Sequence, residues 1–482
     1  MKKLQTIYIF IFILILILPV IFFNYKPNQI SEIDNRNLAE RPRISSNTID
    51  KFPVDFEHYF EDRIGFRNDI IRNYTKINDN VFHEMIHPSY TYGKDGYVFF
   101  KFGRGRTDYD FLSSYANFIK RFQDYCQDRD IYFIYMFNPG KYLIYEEYLP
   151  KGYVPNTSAI NYFINTLEDL EINFYWSGPD LIERAKEEQV YNKKYDAGHW
   201  NDLGCYYATS ELLKIIEKDF PNLDNPDLSK YELNFEQVHT LPVSEFPINE
   251  NIPVLSLPEY SALENQKYYS EIITDDQYRT FYQYENKKTN APNALMFHGS
   301  YYNSSAWSKI IAYPFNQFTG IHNYYNSVNY DYYINIIKPE IVILSSTDYA
   351  TTENYFPVSM IDNAKYAKPS KVTDFISCKE ISNWIIEDEF TIFENNQITQ
   401  TTLRYDAEMF EPEMAWCLLD TLDYEYSTRL EKNENNESVI KIAFSTSDAT
   451  KNTAKYLKIF AQNLDGQRIL QKLPIEYINQ ED

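Results

Sequence analysis

The chain has 482 residues, 44% hydrophobic and 24% charged, which allows two or three domains with a sizeable core. A formal net charge of −23 argues against a nucleic-acid partner, whose phosphates would be repelled, and suits a soluble exported domain. The 45 tyrosines against only 13 glycines are read mostly as coding bias, with sugar-stacking platforms as the alternative.

Lys2 and Lys3 precede an apolar run from Ile7 to Phe23, which Leu4, Gln5 and Thr6 extend to membrane-spanning length. The lysines favour a cytoplasmic N-terminus. The following "NYKPNQISEIDNRN" offers no small-residue cleavage site, and there is no lipobox cysteine. Residues 1–24 therefore read as an uncleaved anchor with the globular part extracytoplasmic; a cleaved signal peptide would leave the same location. Residues 25 to about 50 form a polar linker. Residues 51–85 have helical spacing, and "YTYGKDGYVFF" (90–100) reads as a hairpin turning at Lys94-Asp95-Gly96. An amphipathic helix at 109–130 leads into a buried strand at 131–141. A further helix spans 205–220.

The next seventy residues, with six prolines from Pro221 to Pro258, read as loops and short strands without a separate core. Strand–loop–helix order resumes at "ALMFHGSYYNSSAW" (294–307) and again at 329–348. This alternation predicts an α/β domain over 25–369 with a parallel sheet between helices. From 370 to 482 the pattern becomes short alternating strands, including "SVIKIAFSTS" (438–447) and a pair around Asp465-Gly466, which predicts a small β-rich domain. The four cysteines form no C-x-x-C pair; Cys378 and Cys417 are candidates for a disulfide, and single buried thiols are the alternative.

A serine hydroxyl attacks a carbonyl only with a base in hydrogen-bond reach, and the base needs an orienting carboxylate. In "YDAGHWNDLG" (195–204), Asp196 and His199 stand three residues apart. One turn of chain lets the carboxylate meet the imidazole Nδ1–H and leaves Nε2 free to face a cleft. Trp200 is a candidate wall or sugar-stacking residue. Alternatively, His199 merely caps the helix that follows. Ser300 falls at the C-terminal end of a predicted strand, where α/β sheets bind ligands, and is the candidate nucleophile. Its structural alternative is a helix N-cap. Ser304 and Ser305 are rival nucleophiles, and His298 is a rival base. No second His or Cys lies near His199, so neither a metal site nor a cofactor is expected.

Six segments then occur in order: "DNRNLAERP" (34–42), "YFEDRIGFRNDII" (59–71), "GKDGYVFF" (93–100), "NPGKYLIYEEYLP" (138–150), "DAGHWNDLG" (196–204) and "HGS" (298–300). Together they resemble the AlgX/AlgJ-like (DHHW-type) SGNH-hydrolase-related polysaccharide O-acetyltransferase family, over about residues 30–350. The resemblance implies a flavodoxin-like three-layer SGNH-type fold, with Ser300 as nucleophile, His199 as base, Asp196 as orienting acid and the Ser300 amide in the oxyanion hole. It implies acetyl transfer onto a polysaccharide acceptor, with a multi-pass membrane-bound O-acyltransferase as a possible partner. Lys141 and Tyr302 fall in or beside matched segments without assigned roles. His298-Gly299-Ser300 replaces the Gly-Asp-Ser usual in the family. A glycan-binding or assembly protein with a vestigial triad, and a secreted esterase, are the alternative expectations.

Overall fold

The computed structural model describes residues 2–29, 31, 37–42, 51–87, 89–101, 108–242, 246–257, 264–265, 274–275, 277–286, 290–364, 378–392, 398–420, 425–445 and 454–475. The expected domain boundary near 370, the start of the "DNRNLAERP" segment, and Pro258 lie outside them.

Helix α1 (Lys2–Ile21) is long and apolar enough to cross a membrane: Leu4–Ile21 has a mean hydropathy of 2.7 and none of it is buried. The predicted helix at 51–85 is two helices, α2 (Phe52–Arg63) and α3 (Arg67–Ile77), continued by a π-helical turn at Asn78–Phe82. The elbow between them packs on the end of α1. The buried Arg63 guanidinium donates to the Ala39 carbonyl (2.6 Å), the Lys26 carbonyl and Glu40 (2.8 Å). The Gly65 N–H donates to the Pro19 carbonyl at 2.8 Å. A Cβ on Gly65 would lie 2.7 Å from Phe22, so only glycine allows this approach.

The expected hairpin forms from β1 (Tyr90–Tyr92) and β2 (Val98–Phe100), Tyr92 opposite Val98. Asp95 and Gly96 take left-handed conformations (φ 53° and 78°) to turn it. The α/β body follows: α4 (Tyr109–Gln127), β3 (Tyr132–Asn138), α5 (Lys141–Ile144), α6 (Thr157–Asp169), β4 (Phe174–Trp176), α7 (Gly178–Arg184) and α8 (Asp202–Ile216). Next come the hairpin β5 (Glu232–Thr240) and β6 (Pro247–Ser256), the short β7 (Glu264–Asn265), and β8 (Phe281–Glu285). The body closes with β9 (Ala294–His298), α9 (Ser305–Ala312), β10 (Gln317–His322), α10 (Tyr330–Ile337), β11 (Ile341–Thr347) and α11 (Val358–Asn363). β5 and β6 are nine and ten residues long, longer than the expected short strands.

The central sheet runs β4-β3-β11-β9-β10-β8-β7, parallel from β4 to β10, with β8 and β7 antiparallel at one edge. Alternate residues of each buried strand go to opposite faces. Ile134, Met136, Met296 and Ile343 join residues of α8 and α9 in one core; Phe133, Tyr135, Leu295, Phe297, Val342 and Leu344 join α4, α6 and α10 in the other. Helices thus cover both faces, giving three layers. Among the parallel strands, however, the order is second-first-fifth-third-fourth, not the flavodoxin order second-first-third-fourth-fifth. The chain leaves β10, crosses through α10 beyond its neighbour β9, and inserts β11 in the gap beside β3.

Strands β12 (Lys379–Glu380), β13 (Ile385–Ile392), β14 (Ile398–Tyr405), β15 (Met414–Leu419), β16 (Glu425–Ser427), β17 (Arg429–Lys432), β18 (Ser438–Ser445), β19 (Tyr456–Gln462) and β20 (Arg468–Pro474) make two further sheets with their own core. Ile440, Ile442 and Phe444 all face it, and Gly466 (φ 77°) turns the chain towards β20. None of the four cysteines, all of them among the described residues, is in a disulfide. Cys378 and Cys417 do not pair, because β15 alternates: Cys417 enters the core, whereas Cys378 packs with Trp416 and Leu418 on the opposite face.

Candidate active site

The C-terminal ends of β3, β9, β10 and β11 form one edge of the sheet, and Ser300 stands on it, two residues past β9. Ser300 opens a single 3₁₀ turn, Ser300–Tyr302. The capping role falls to Ser304, which accepts the Trp307 N–H at 3.2 Å and starts α9; Ser305 is the first residue of that helix. Gly299 has φ −87° and room for a Cβ, whose nearest neighbours would be 3.6 Å away, so the turn does not depend on glycine.

The loop 190–201 brings the other two groups. Asp196 adopts a left-handed conformation (φ 64°), uncommon for a residue with a side chain. Its Oδ1 accepts the Gly198 and His199 N–H groups, each at 3.0 Å, which closes an Asx-type turn and offsets the backbone cost. That turn aims Oδ2 at His199 Nδ1, 2.7 Å away, and His199 Nε2 lies 2.7 Å from Ser300 Oγ. Residues 101 apart in sequence thus meet in a continuous carboxylate–imidazole–hydroxyl chain. Both the imidazole and the carboxylate are about one-fifth exposed. Burial opposes charge on both, yet the Asp196 charge and hydrogen bond hold the His199 pKa above its ordinary value. For Asp196, the His199 charge and the hydrogen bonds to its oxygens outweigh burial and hold the carboxyl below the usual range. Helix α8 is capped by Asn201, whose Oδ1 accepts the Gly204 N–H at 3.0 Å, so His199 has no capping duty.

Trp200 does not wall the cleft. It is fully buried, with its ring 4.5 Å from Tyr301 and its Nε1–H on the Tyr301 carbonyl at 3.1 Å. Entry into α8 turns it inward, where it ties the histidine loop to the serine turn. Two aromatics stand beside the imidazole: the buried Tyr301, 5.2 Å from the His199 ring, and Trp307, 6.2 Å away and held by Asp202 at 2.8 Å. His298 is no base for Ser300 either. It is fully buried against Tyr282, its Nδ1 bonds the Gly299 carbonyl at 2.8 Å, and burial pushes its pKa down to about 3.

Sequence reasoning missed what holds the loop. The ammonium of Lys141, fully buried after β3, donates to the carbonyls of Val98 (2.8 Å), Lys193 (3.0 Å) and Asp196 (3.2 Å). Burial lowers its pKa to about 7, with Asp196 and Glu250 opposing. Glu250 of β6 grips the same segment by its amides: Lys193 (2.6 Å), Lys194 (2.8 Å) and Tyr195 (2.6 Å). Gly198 is the glycine the site needs, because a Cβ there would lie 2.1 Å from the Phe100 ring. Lys141 stood in a matched segment; Glu250 had no sequence signal. Among the described residues no cluster of His, Cys, Asp or Glu could hold a metal ion.

Fold and site together define a three-layer α/β protein with a serine–histidine–aspartate constellation at the C-terminal edge of its sheet. No family model matches the chain, and no curated protein does. Among solved structures it is similar to Bacillus cereus PatB1 with a sulfonyl adduct, at 14% identity and a TM-score of 0.44, over 56% of this chain and 96% of that one. It is also similar to the O-acetyltransferase domain of Pseudomonas putida AlgJ (15%, TM-score 0.41, 58% and 99% covered). Pseudomonas aeruginosa AlgX gives 11% identity and a TM-score of 0.38, over 81% of this chain and 92% of that one.

Proposed function

We propose that the protein is an O-acyltransferase acting on a cell-surface or secreted polysaccharide, through an acyl-enzyme on Ser300. The observation that carries the proposal is the unbroken contact from Asp196 through His199 to Ser300 Oγ, 2.7 Å at each step. The six-segment family resemblance supports acetyl as the acyl group and a polysaccharide as acceptor.

Ser300 Oγ attacks the carbonyl carbon of an acyl donor while His199 Nε2 takes its proton, and the Ser300 amide stabilises the oxyanion. The tetrahedral adduct collapses, His199 protonates the leaving group, and the acyl group stays on Ser300 as an ester. A sugar hydroxyl then gives its proton to His199, attacks that ester and leaves acylated, and the proton returns to Ser300. Asp196 keeps Nδ1 protonated, so that Nε2 carries the lone pair. A membrane-bound O-acyltransferase supplying the acyl group across the bilayer is the partner this scheme calls for, and α1 holds the protein beside it.

Treating the protein with a serine-reactive fluorophosphonate and mapping the adduct by peptide mass spectrometry tests the site. The expected result is one adduct, on Ser300, lost in His199→Ala. A folded protein that labels elsewhere, or labels Ser300 equally without His199, removes the proposal. Acyl transfer to an oligosaccharide, measured against release to water, separates transferase from esterase.

A further inference from the structure

Helix α3 and the π-helical turn after it present three different sides. Thr75 and Asn78 are buried. Asp69, Arg72 and Lys76 lie on a polar side, where Arg72 and Asp69 pair at 3.2 Å. The remaining side of α3 carries Ile70, Tyr74 and Ile77, at spacings of four and three, with Phe66 just before the helix and Val81 in the π-helical turn at its two ends, and each is between 43% and 64% exposed. Such spacing makes one continuous stripe. Apolar residues scattered singly over a surface need no explanation, but a contiguous run marks a site of interaction.

The stripe begins where α1 ends. The Phe22 and Phe66 rings are 5.0 Å apart, and the Gly65 backbone lies directly against the last turn of α1. The apolar surface of α1, none of it buried over Leu4–Ile21, therefore meets the stripe of α3 at the Phe22–Phe66 contact. A partner that covers the first surface reaches the second. Tyr74, amphipathic and midway along the stripe, has the chemistry favoured at a lipid–water boundary.

We propose that α3 lies in the lipid–water interface, with the Phe66–Val81 stripe set among the acyl chains beside the end of α1. The chain then touches the bilayer twice, by a spanning helix and by an interfacial one. The second contact fixes the tilt of the globular body over the membrane, because the Tyr92–Asp79 hydrogen bond (2.8 Å) ties the turn after α3 to the β1–β2 hairpin. The proposal is independent of the triad and of any reaction at Ser300.

The test uses the full chain in vesicles of phosphatidylethanolamine and phosphatidylglycerol. An environment-sensitive fluorophore is placed on one of Asp69→Cys, Ile70→Cys, Lys76→Cys or Ile77→Cys, in a Cys378→Ser background whose other thiols are buried. Labels at 70 and 77 are expected to shift to the blue and be quenched by nitroxides on the acyl chains, but not by aqueous iodide. Labels at 69 and 76 should show the reverse. Equal iodide quenching at all four positions overturns the proposal. So does protection of 70 and 77 from both quenchers, which assigns the stripe to a protein partner or a second copy. The pair Ile70→Asp with Ile77→Asp leaves α1 in place and should abolish the blue shift of a label at Val81→Cys; a shift that persists counts against the proposal.

Discussion

Asp196 does two jobs with two oxygens: one closes its own turn, the other meets His199 Nδ1. Substituting Asp196→Asn keeps an acceptor for the turn but no longer holds Nδ1 protonated by a charge, and in triads of this kind the loss of kcat is about 10⁴-fold. The pH dependence follows from the directions of the two shifts. As the proposed base, His199 would work only when neutral, and Asp196 raises its pKa, so activity should rise with pH through a value above that of ordinary histidine. Removing the negative charge in Asp196→Asn should move that rise to lower pH, measured as kcat/KM against pH. A second contrast concerns two glycines. Gly198→Ala forces a Cβ into Phe100 and should cost about 1–3 kcal/mol, read by denaturant unfolding, whereas Gly299→Ala has room and should leave stability nearly unchanged. At this scale the contact of Asp196 with His199 was readable because it is local, only three residues apart. Trp200 was misread because its burial depends on how α8 docks, which spacing along the chain does not encode.

The elements that carry the site were legible as strands and helices, because buried parallel strands are continuous apolar runs with turns at each end. Their order in the sheet was not. The position of β11 between β3 and β9 depends on which gap its crossover reaches, and no residue of β11 declares its neighbour. The β5–β6 hairpin was missed for a plainer reason. Pro247 and Pro253 speak against a strand, but a two-stranded ribbon leaves backbone sites that need no N–H donor. That hairpin brings Glu250 to the histidine loop, and the turn after β3 brings Lys141. Replacing the ammonium in Lys141→Met takes the donor from the Val98 and Asp196 carbonyls, each costing about 1–3 kcal/mol, while the Lys193 carbonyl keeps the Val98 N–H at 2.9 Å. A marked fall in melting temperature is expected, along with loss of fluorophosphonate labelling at Ser300. Glu250→Gln should be milder, because an amide oxygen can still accept from part of the amide row.

Over the whole molecule, charge was read directly from composition, whereas cysteine spacing left a Cys378–Cys417 disulfide and single thiols both open, and the fold holds the single thiols. With no disulfide among its four cysteines, the protein should melt at the same temperature with and without dithiothreitol, by scanning calorimetry. Thiol titration of the native protein should find Cys378 reactive and Cys126, Cys205 and Cys417 silent until it unfolds.

The late insertion of β11 also bears on synthesis. Ribosomes release the N-terminal segments first. When residue 340 has emerged, Asp196, His199 and Ser300 are all present, yet β3 and β9 still lack the strand that joins them. A chain halted there holds all three groups of the constellation and no completed sheet to align them. Ser300 reactivity, followed on stalled chains of increasing length, should therefore switch on only after Thr347 is free, and so time the closure of the sheet during translation.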